Sequence, residues 1–227
     1  MFKKAFTLAE VILVLGIIGI VATLTIPNLA DDYTEEQTVI KVKQFKNDLD
    51  LALKSAILHH GEYRYWVDNF TAADKEDLIG NVVEFLEVLD DNANFPVASI
   101  NNNSSYYKYE LKNGILMAAY FGSNGTCSGD TCNIMQFYIA TSGLGGATIG
   151  RDVFAFAVNP FVEEIHPYGY NQDKSSSNNF VYSQNDYLVT NWVVNMGNLD
   201  YLKTFNNGNK CPGNNKVLDW VTNTSCD

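Results

Sequence analysis

Few residues in this chain are placed to do chemistry, and one is marked by its setting. Glu10 shares residues 1–30 with only two other charges, Lys3 and Lys4, and it directly precedes Val11–Ala22, an unbroken apolar run of twelve. A carboxylate next to a membrane-length apolar segment costs up to about 2.5–3.5 kcal/mol at a helix centre and less near its end. The chemistry open to it is charge pairing, because an anion in low dielectric needs a cation close by. The four thiols, Cys127, Cys132, Cys211 and Cys226, all lie outside this segment. Spacings of 127/132 and 211/226 do not form paired C-x2-C knuckles, so disulfides are expected rather than zinc. Three connectivities exist, and proximity in sequence favours Cys127–Cys132 and Cys211–Cys226. His59, His60 and His166 have no spaced Cys or carboxylate partners and read as helix-end and turn residues. Gly143, Gly145, Gly146 and Gly150 lack the Lys-Ser/Thr of a phosphate-binding loop, and neither G-x-S-x-G nor H-E-x-x-H occurs. No catalytic residue, metal ligand or cofactor site is assigned, and the chain is read as a non-enzyme.

The elements that position these residues divide into a head and a body. The 227 residues carry a net charge of −11, with 46% apolar and 13% aromatic residues. That is too apolar for a disordered chain and too acidic for phosphate-backbone contact, so no nucleic-acid partner is expected. Residues 6–29 as a helix would span roughly 36 Å, enough for a hydrocarbon core of about 30 Å. Lys3 and Lys4 before the run, and Asp31, Asp32, Glu35 and Glu36 after it, place the N-terminus in the cytoplasm and the body outside. Three readings account for such a head. A cleaved signal peptide needs a small-x-small site, which Asn28-Leu29-Ala30 supplies poorly. A plain anchor explains the length but not Glu10.

The third reading uses the residues one by one. Lys3-Lys4-Ala5-Phe6-Thr7-Leu8-Ala9-Glu10, followed at once by the apolar run, resembles the prepilin-type signal of type IV pilins and type II secretion pseudopilins. The resemblance implies cleavage between Ala5 and Phe6 by a prepilin peptidase, and N-methylation of Phe6. Alanine stands at Ala5 where the family usually has glycine. It also implies that Glu10 meets the N-terminal amine of a neighbouring subunit, and that Pro27 is the family's helix-interrupting proline. Gly16 and Gly19 would let helices approach closely. Pro27 removes one helical N–H, and Thr23 and Thr25 lie near enough to satisfy a freed carbonyl. On this reading residues 1–5 are a leader peptide and 6–30 a transmembrane assembly helix. Residues 31–227 are an exported headgroup that includes the soluble half of that helix.

In the body, Val42, Phe45, Leu49, Ala52, Leu53, Ala56 and Ile57 form a 3.6-residue stripe that predicts a helix ending near His59-His60-Gly61. A second helix is predicted over 71–89, with Thr71–Asp74 as a capping box and Leu78, Val82, Phe85, Leu86 and Leu89 as its apolar face. The period then falls to two. Residues 106–111 and 115–121, joined by Lys112-Asn113-Gly114, read as a hairpin; 134–140, 153–158 and 165–168 read as further strands. Residues 171–186 are a polar loop, and 187–196 are apolar around Trp192. Helices followed by antiparallel strands make an α+β order. The resemblance implies the same architecture: a pilin fold with a long N-terminal helix on an antiparallel sheet.

A softer resemblance covers the C-terminal part. Gly150–Phe154, Asn191-Trp192-Val193-Val194 and Asn198-Leu199-Asp200-Tyr201-Leu202, followed by Cys211, Trp220 and Cys226, resemble a group of pseudopilin-like proteins. The pilin resemblance implies a Cys211–Cys226 loop around Trp220. Some pseudopilins hold Ca2+ in a loop between late strands; here 141–150 has no acid before Asp152, and Asp173, Asp186 and Asp200 could join only through the fold. No cofactor is therefore expected. The partners implied are like subunits, a prepilin peptidase, an inner-membrane assembly platform and the membrane. The implied place is the inner membrane, single-pass, with the headgroup periplasmic or extracellular. The function implied is a subunit of a type II secretion pseudopilus; the alternatives are a surface-fibre pilin and, more remotely, an anchored exported enzyme or binding protein.

Overall fold

The computed structural model describes residues 7–67, 75–121, 135–159, 163–170, 186–204 and 210–226. Helix α1 (Leu8–His60) takes up 53 residues, and the helical backbone continues through Pro27. The chain divides into two units, 1–37 and 38–227. In the first unit the large apolar side chains from Leu8 to Leu24 are exposed. Thr23 donates its hydroxyl to the Ile20 carbonyl (2.9 Å) and Thr25 to Val21 (3.0 Å). Pro27 has no N–H for the carbonyl four residues earlier, that of Thr23. The two threonines therefore back-bond one turn too early to replace that bond, contrary to the role expected of them.

The second unit is built on the amphipathic part of α1. Val42, Phe45, Leu49, Ala52, Leu53 and Ala56 are all buried, and Ile57 is half-buried at the edge of the same cluster. The helix ends where Gly61 takes φ +88° and gives its N–H to the Ile57 carbonyl at 2.9 Å. The stripe packs on one face of a six-stranded antiparallel sheet whose spatial order equals chain order. The strands are β1 (Val88–Asp90), β2 (Tyr106–Leu111), β3 (Leu116–Phe121), β4 (Met135–Ala140), β5 (Val153–Asn159) and β6 (Glu164–Pro167). Phe137, Phe154, Phe156 and Met117 point to the helix, and Phe45 meets Phe156 with centroids 5.6 Å apart. Phe95 and Ile100 cover part of the opposite face, over Ala118, Tyr138 and Ala155. This is the α+β architecture of the pilin fold.

Short helices complete the unit: α2 (Tyr63–Val67), α3 (Lys75–Val83), α4 (Ala98–Asn101), α5 (Val189–Met196) and α6 (Tyr201–Thr204). The β2–β3 hairpin is as expected. Asn113 Oδ1 accepts the Ile115 N–H at 3.1 Å, and Gly114 supplies φ +78°. The predicted second helix is corrected. It stops at Val83, because the chain turns at Glu84–Leu86 so that Val88 can pair with Leu111 in β1. Leu89, predicted on the helix's apolar face, is exposed on that strand, and the expected capping box at 71–74 lies outside the described residues. His166, expected in a turn, sits on β6.

The apolar run after residue 187 becomes α5, stitched to the end of the sheet. Thr190 Oγ1 accepts the Ala155 N–H at 3.0 Å and donates to the Tyr187 carbonyl at 2.7 Å. Asn191 gives its N–H to Tyr168 and its Nδ2 to the Gly169 carbonyl. This approach requires Gly169. Its φ is +88°, and a Cβ there would lie 2.2 Å from the Leu188 carbonyl oxygen. Gly169→Ala is therefore expected to cost more than about 3 kcal/mol, read as a lower urea midpoint at unchanged slope. Gly143→Ala, where the added carbon meets nothing within 4 Å, is the control and should shift stability by less than about 1 kcal/mol.

Candidate functional site

Two regions carry the residues singled out from sequence. At the first, Thr7 and Glu10 form a reciprocal cap on α1. The Thr7 N–H and hydroxyl both donate to Glu10 Oε2 at 2.8 Å, and the Glu10 N–H donates to Thr7 Oγ1 at 3.2 Å. This is a capping box, which satisfies donors left open at a helix start and puts an anion where the helix dipole favours one. The Thr-x-x-Glu pattern stands in the sequence, masked there by the intersubunit role that the resemblance gives Glu10.

Leu8–Thr25 is an 18-residue stretch with mean hydropathy 2.4, long and apolar enough to cross a membrane. None of it is buried within the chain. A Cβ added at Gly16 or Gly19 would meet nothing within 4 Å, so both glycines lie on open helix surface. The expected cleavage site, Ala5 and Phe6, lies outside the described residues.

The second region is a C-terminal latch. Cys211 and Cys226 are disulfide-bonded with Cα atoms 5.3 Å apart, closing a loop that contains Trp220. Trp220 packs edge-on to the fully buried Trp192, centroids 5.0 Å apart. Trp192 Nε1 donates to Asn198 Oδ1 at 2.9 Å, and Asn198 Nδ2 donates to the Thr224 carbonyl at 2.7 Å. Asp200 Oδ2 accepts the Cys226 N–H at 2.7 Å, while Oδ1 meets Lys203 Nζ at 2.7 Å. Tyr201 sends its hydroxyl to the Gly150 carbonyl at 2.7 Å. The Asn-Leu-Asp-Tyr run is thus a clasp, three of its residues holding five partners: Trp192, Thr224, Cys226, Lys203 and Gly150.

Inside the loop, Asp219 orders the turn at 219–223. It accepts the Val221 and Thr222 amides, the Thr222 hydroxyl and the Asn223 side-chain amide. Hydrogen bonds from the Thr222 hydroxyl and amide, in that order, hold its carboxyl well below the usual range.

The other residues considered from sequence are dispersed. Cys127–Cys132 and Asp173 lie outside the described residues. Asp152 accepts the Thr148 N–H, Asp186 accepts the Leu188 N–H, and Asp200 belongs to the clasp. Among the described residues no group of three or more His, Cys, Asp or Glu side chains is poised to hold a metal ion. His60 Nε2 meets Glu84 Oε1 at 2.5 Å, tying the end of α1 to the turn after α3, and His59 packs on Phe85. The glycine-rich stretch 143–150 joins β4 to β5.

The chain is 31% identical over 105 residues to a "Fimbrial protein" of Neisseria meningitidis serogroup A / serotype 4A (strain DSM 15465 / Z2491). The match takes in 45% of this chain and 59% of that relative, so the chain spans little more than half the relative's length. No protein-family model matches, and no solved structure matches. The likeness supports a pilin-like subunit at family level.

The clasp makes a stability prediction. Asn198→Ala removes the bond to the buried Trp192 indole and the bond to the Thr224 carbonyl, at an expected cost of about 1–3 kcal/mol in urea melts. The cost of Trp192→Phe should be smaller in the Asn198→Ala background than in the parent, because the two residues share one bond.

Proposed function

We propose that this chain is a structural, pilin-like filament subunit made as a prepilin. The observation that carries the reading is the exposed 18-residue apolar stretch with a capped carboxylate at its start, on a chain whose body has the pilin fold. An apolar surface of this size is not left in water. It requires a bilayer first and neighbouring helices afterwards.

The sequence of events follows from charge. The chain inserts with Lys3 and Lys4 inside and the acidic body outside. A prepilin peptidase cuts between Ala5 and Phe6 and methylates Phe6, leaving a cationic amine four residues before Glu10. The capping bonds to Thr7 survive the cut, since Thr7 stays in the mature chain. The two that the carboxylate accepts both fall on Oε2. A carboxylate has acceptor capacity for more, so Glu10 can keep its cap and still receive the ammonium of a neighbouring subunit. That pairing would set the axial stagger, with Gly16, Gly19 and Pro27 shaping the helix contacts. The partners are like subunits, the peptidase and an inner-membrane platform.

Assembly into a type II secretion pseudopilus is the favoured form. The soft C-terminal resemblance supports it. A second reading is a pilin of a surface fibre serving adhesion, motility or DNA uptake, and the likeness to the Neisseria fimbrial protein favours it.

Mass spectrometry of the mature chain should find N-methyl-Phe6; an intact Met1, or a start near Asp31, would overturn the proposal. Glu10→Val should insert normally and fail to assemble, and normal filaments from that variant would refute the pairing. Shear-released fibres on the cell surface would move the assignment from secretion to the surface pilus.

A further inference from the structure

One cleft in the second unit is used by neither the cap nor the filament reading. It encloses about 430 Å³, in the range of small-molecule sites. Its walls take Lys46 from α1, Glu164 and His166 from β6, Tyr170 from the turn that follows, Asn195 from α5 and Trp220 from the disulfide loop. Charge, aromatic surface and the supply of open acceptors each narrow what could enter.

The charge is negative. Lys46 Nζ is held by Asp50 Oδ2 at 2.5 Å, so that pair is balanced within itself. His166 faces Glu164, Lys46 and Asp50. Burial, the largest influence, pushes its imidazole below the ordinary value; Glu164 and Asp50 pull it up, and Lys46 pushes it further down. The ring is therefore neutral at pH 7. Glu164, its side chain 69% exposed, is the charge left over. The cleft repels an anion and draws a cation.

The surface beside that anion is aromatic. Tyr170 is half exposed and lies against the His166 ring, centroids 4.1 Å apart. Trp220 is backed by the buried Trp192, centroids 5.0 Å apart. A cation over the face of such a ring is attracted by its quadrupole, most strongly for tryptophan. The amides decide which kind of cation. Asn195 Nδ2 donates to the carbonyl and to Oδ1 of Asn191, at 2.9 and 2.7 Å, so these acceptors are engaged within the wall. Asn191 Nδ2 is itself spent on the Gly169 carbonyl. A primary ammonium brings three donors and is strongly hydrated, and a guanidinium brings five. Glu164 is the one carboxylate among the described residues that line the cleft, too few acceptors to replace that hydration. A trimethylammonium group has no N–H to satisfy, and its methyls suit the rings and the aliphatic wall of Val194 and Met196.

We infer that this cleft binds a quaternary ammonium group of the choline type, between the Glu164 carboxylate and the Tyr170 and Trp220 rings. The inference rests on the headgroup alone and stands independently of how the chain assembles.

The test uses the full chain in polyoxyethylene detergent, which carries no quaternary amine, with ionic strength held constant by sodium chloride. Intrinsic tryptophan fluorescence is titrated with choline chloride, which should give a saturable change at millimolar concentration. Its uncharged carbon analogue, dimethylbutanol with a tert-butyl end, and ethanolamine, the same charge with N–H donors, should each bind about tenfold more weakly or worse. Glu164→Gln and Tyr170→Ala alter exposed side chains, so both should keep the parental melting temperature while weakening choline by about tenfold or more. Inorganic phosphate should neither bind nor compete. Phosphocholine separates the two sources of the group: weaker binding than choline marks a free cation, and equal or tighter binding a lipid headgroup. The inference is overturned if choline gives no saturable change, if the uncharged analogue or ethanolamine binds as tightly as choline, if phosphate takes the site, or if both variants bind as the parent does.

Discussion

Burial of one helical stripe is the constraint under which the second unit exists. Val42, Phe45, Leu49 and Leu53 are each fully or almost fully removed from water, and each contributes about 1.5–3 kcal/mol. The inner sheet face they cover carries Met117, Phe137, Phe154 and Phe156, which would otherwise be open. The sheet cannot close this face with its own residues, since its strands form an open meander with two edges. The clasp depends on the same packing at one remove. Trp192 belongs to the cluster that the stripe completes, and Trp220 packs on it.

The same helix carries a second, different surface. Residues 38–60 have a buried stripe and a polar remainder, whereas Leu8–Leu24 present apolar side chains on all faces. Composition alone separates these regimes, because a helix apolar all round has no use for water on any side. Glu10 stands at the boundary of the apolar part and is the residue through which the helix start is satisfied.

What could be read from the sequence was what depends on neighbours in the chain. Asn113-Gly114 specifies its turn within four residues, and the 3.6 period of 42–56 needs only one helix face. The 211/226 spacing favoured the observed disulfide for the same local reason. What could not be read depends on distant partners. Three residues at 88–90 become a strand only because Leu111 and Glu110 lie alongside, so the helix pattern reads on as far as Leu89. The apolar run 187–196 fits a helix or a strand equally by composition; the bonds from Thr190 to β5 and from Asn191 to Tyr168 mark its place. Asn198 and Asp200 looked like a family signature without a purpose, because their partners lie 26 residues onward.

The match between strand order and chain order bears on how such a body could be made. Each strand from β2 onward has its predecessor waiting as a template, so the sheet can grow by addition at one edge without holding unpaired strands apart. Mean sequence separation of its pairings is low, which favours fast folding and limits the lifetime of sticky edges. The residues that close the clasp come after all six strands. A chain emerging vectorially would therefore finish its sheet before the thiols at 211 and 226 could meet, so that oxidation seals a structure already formed.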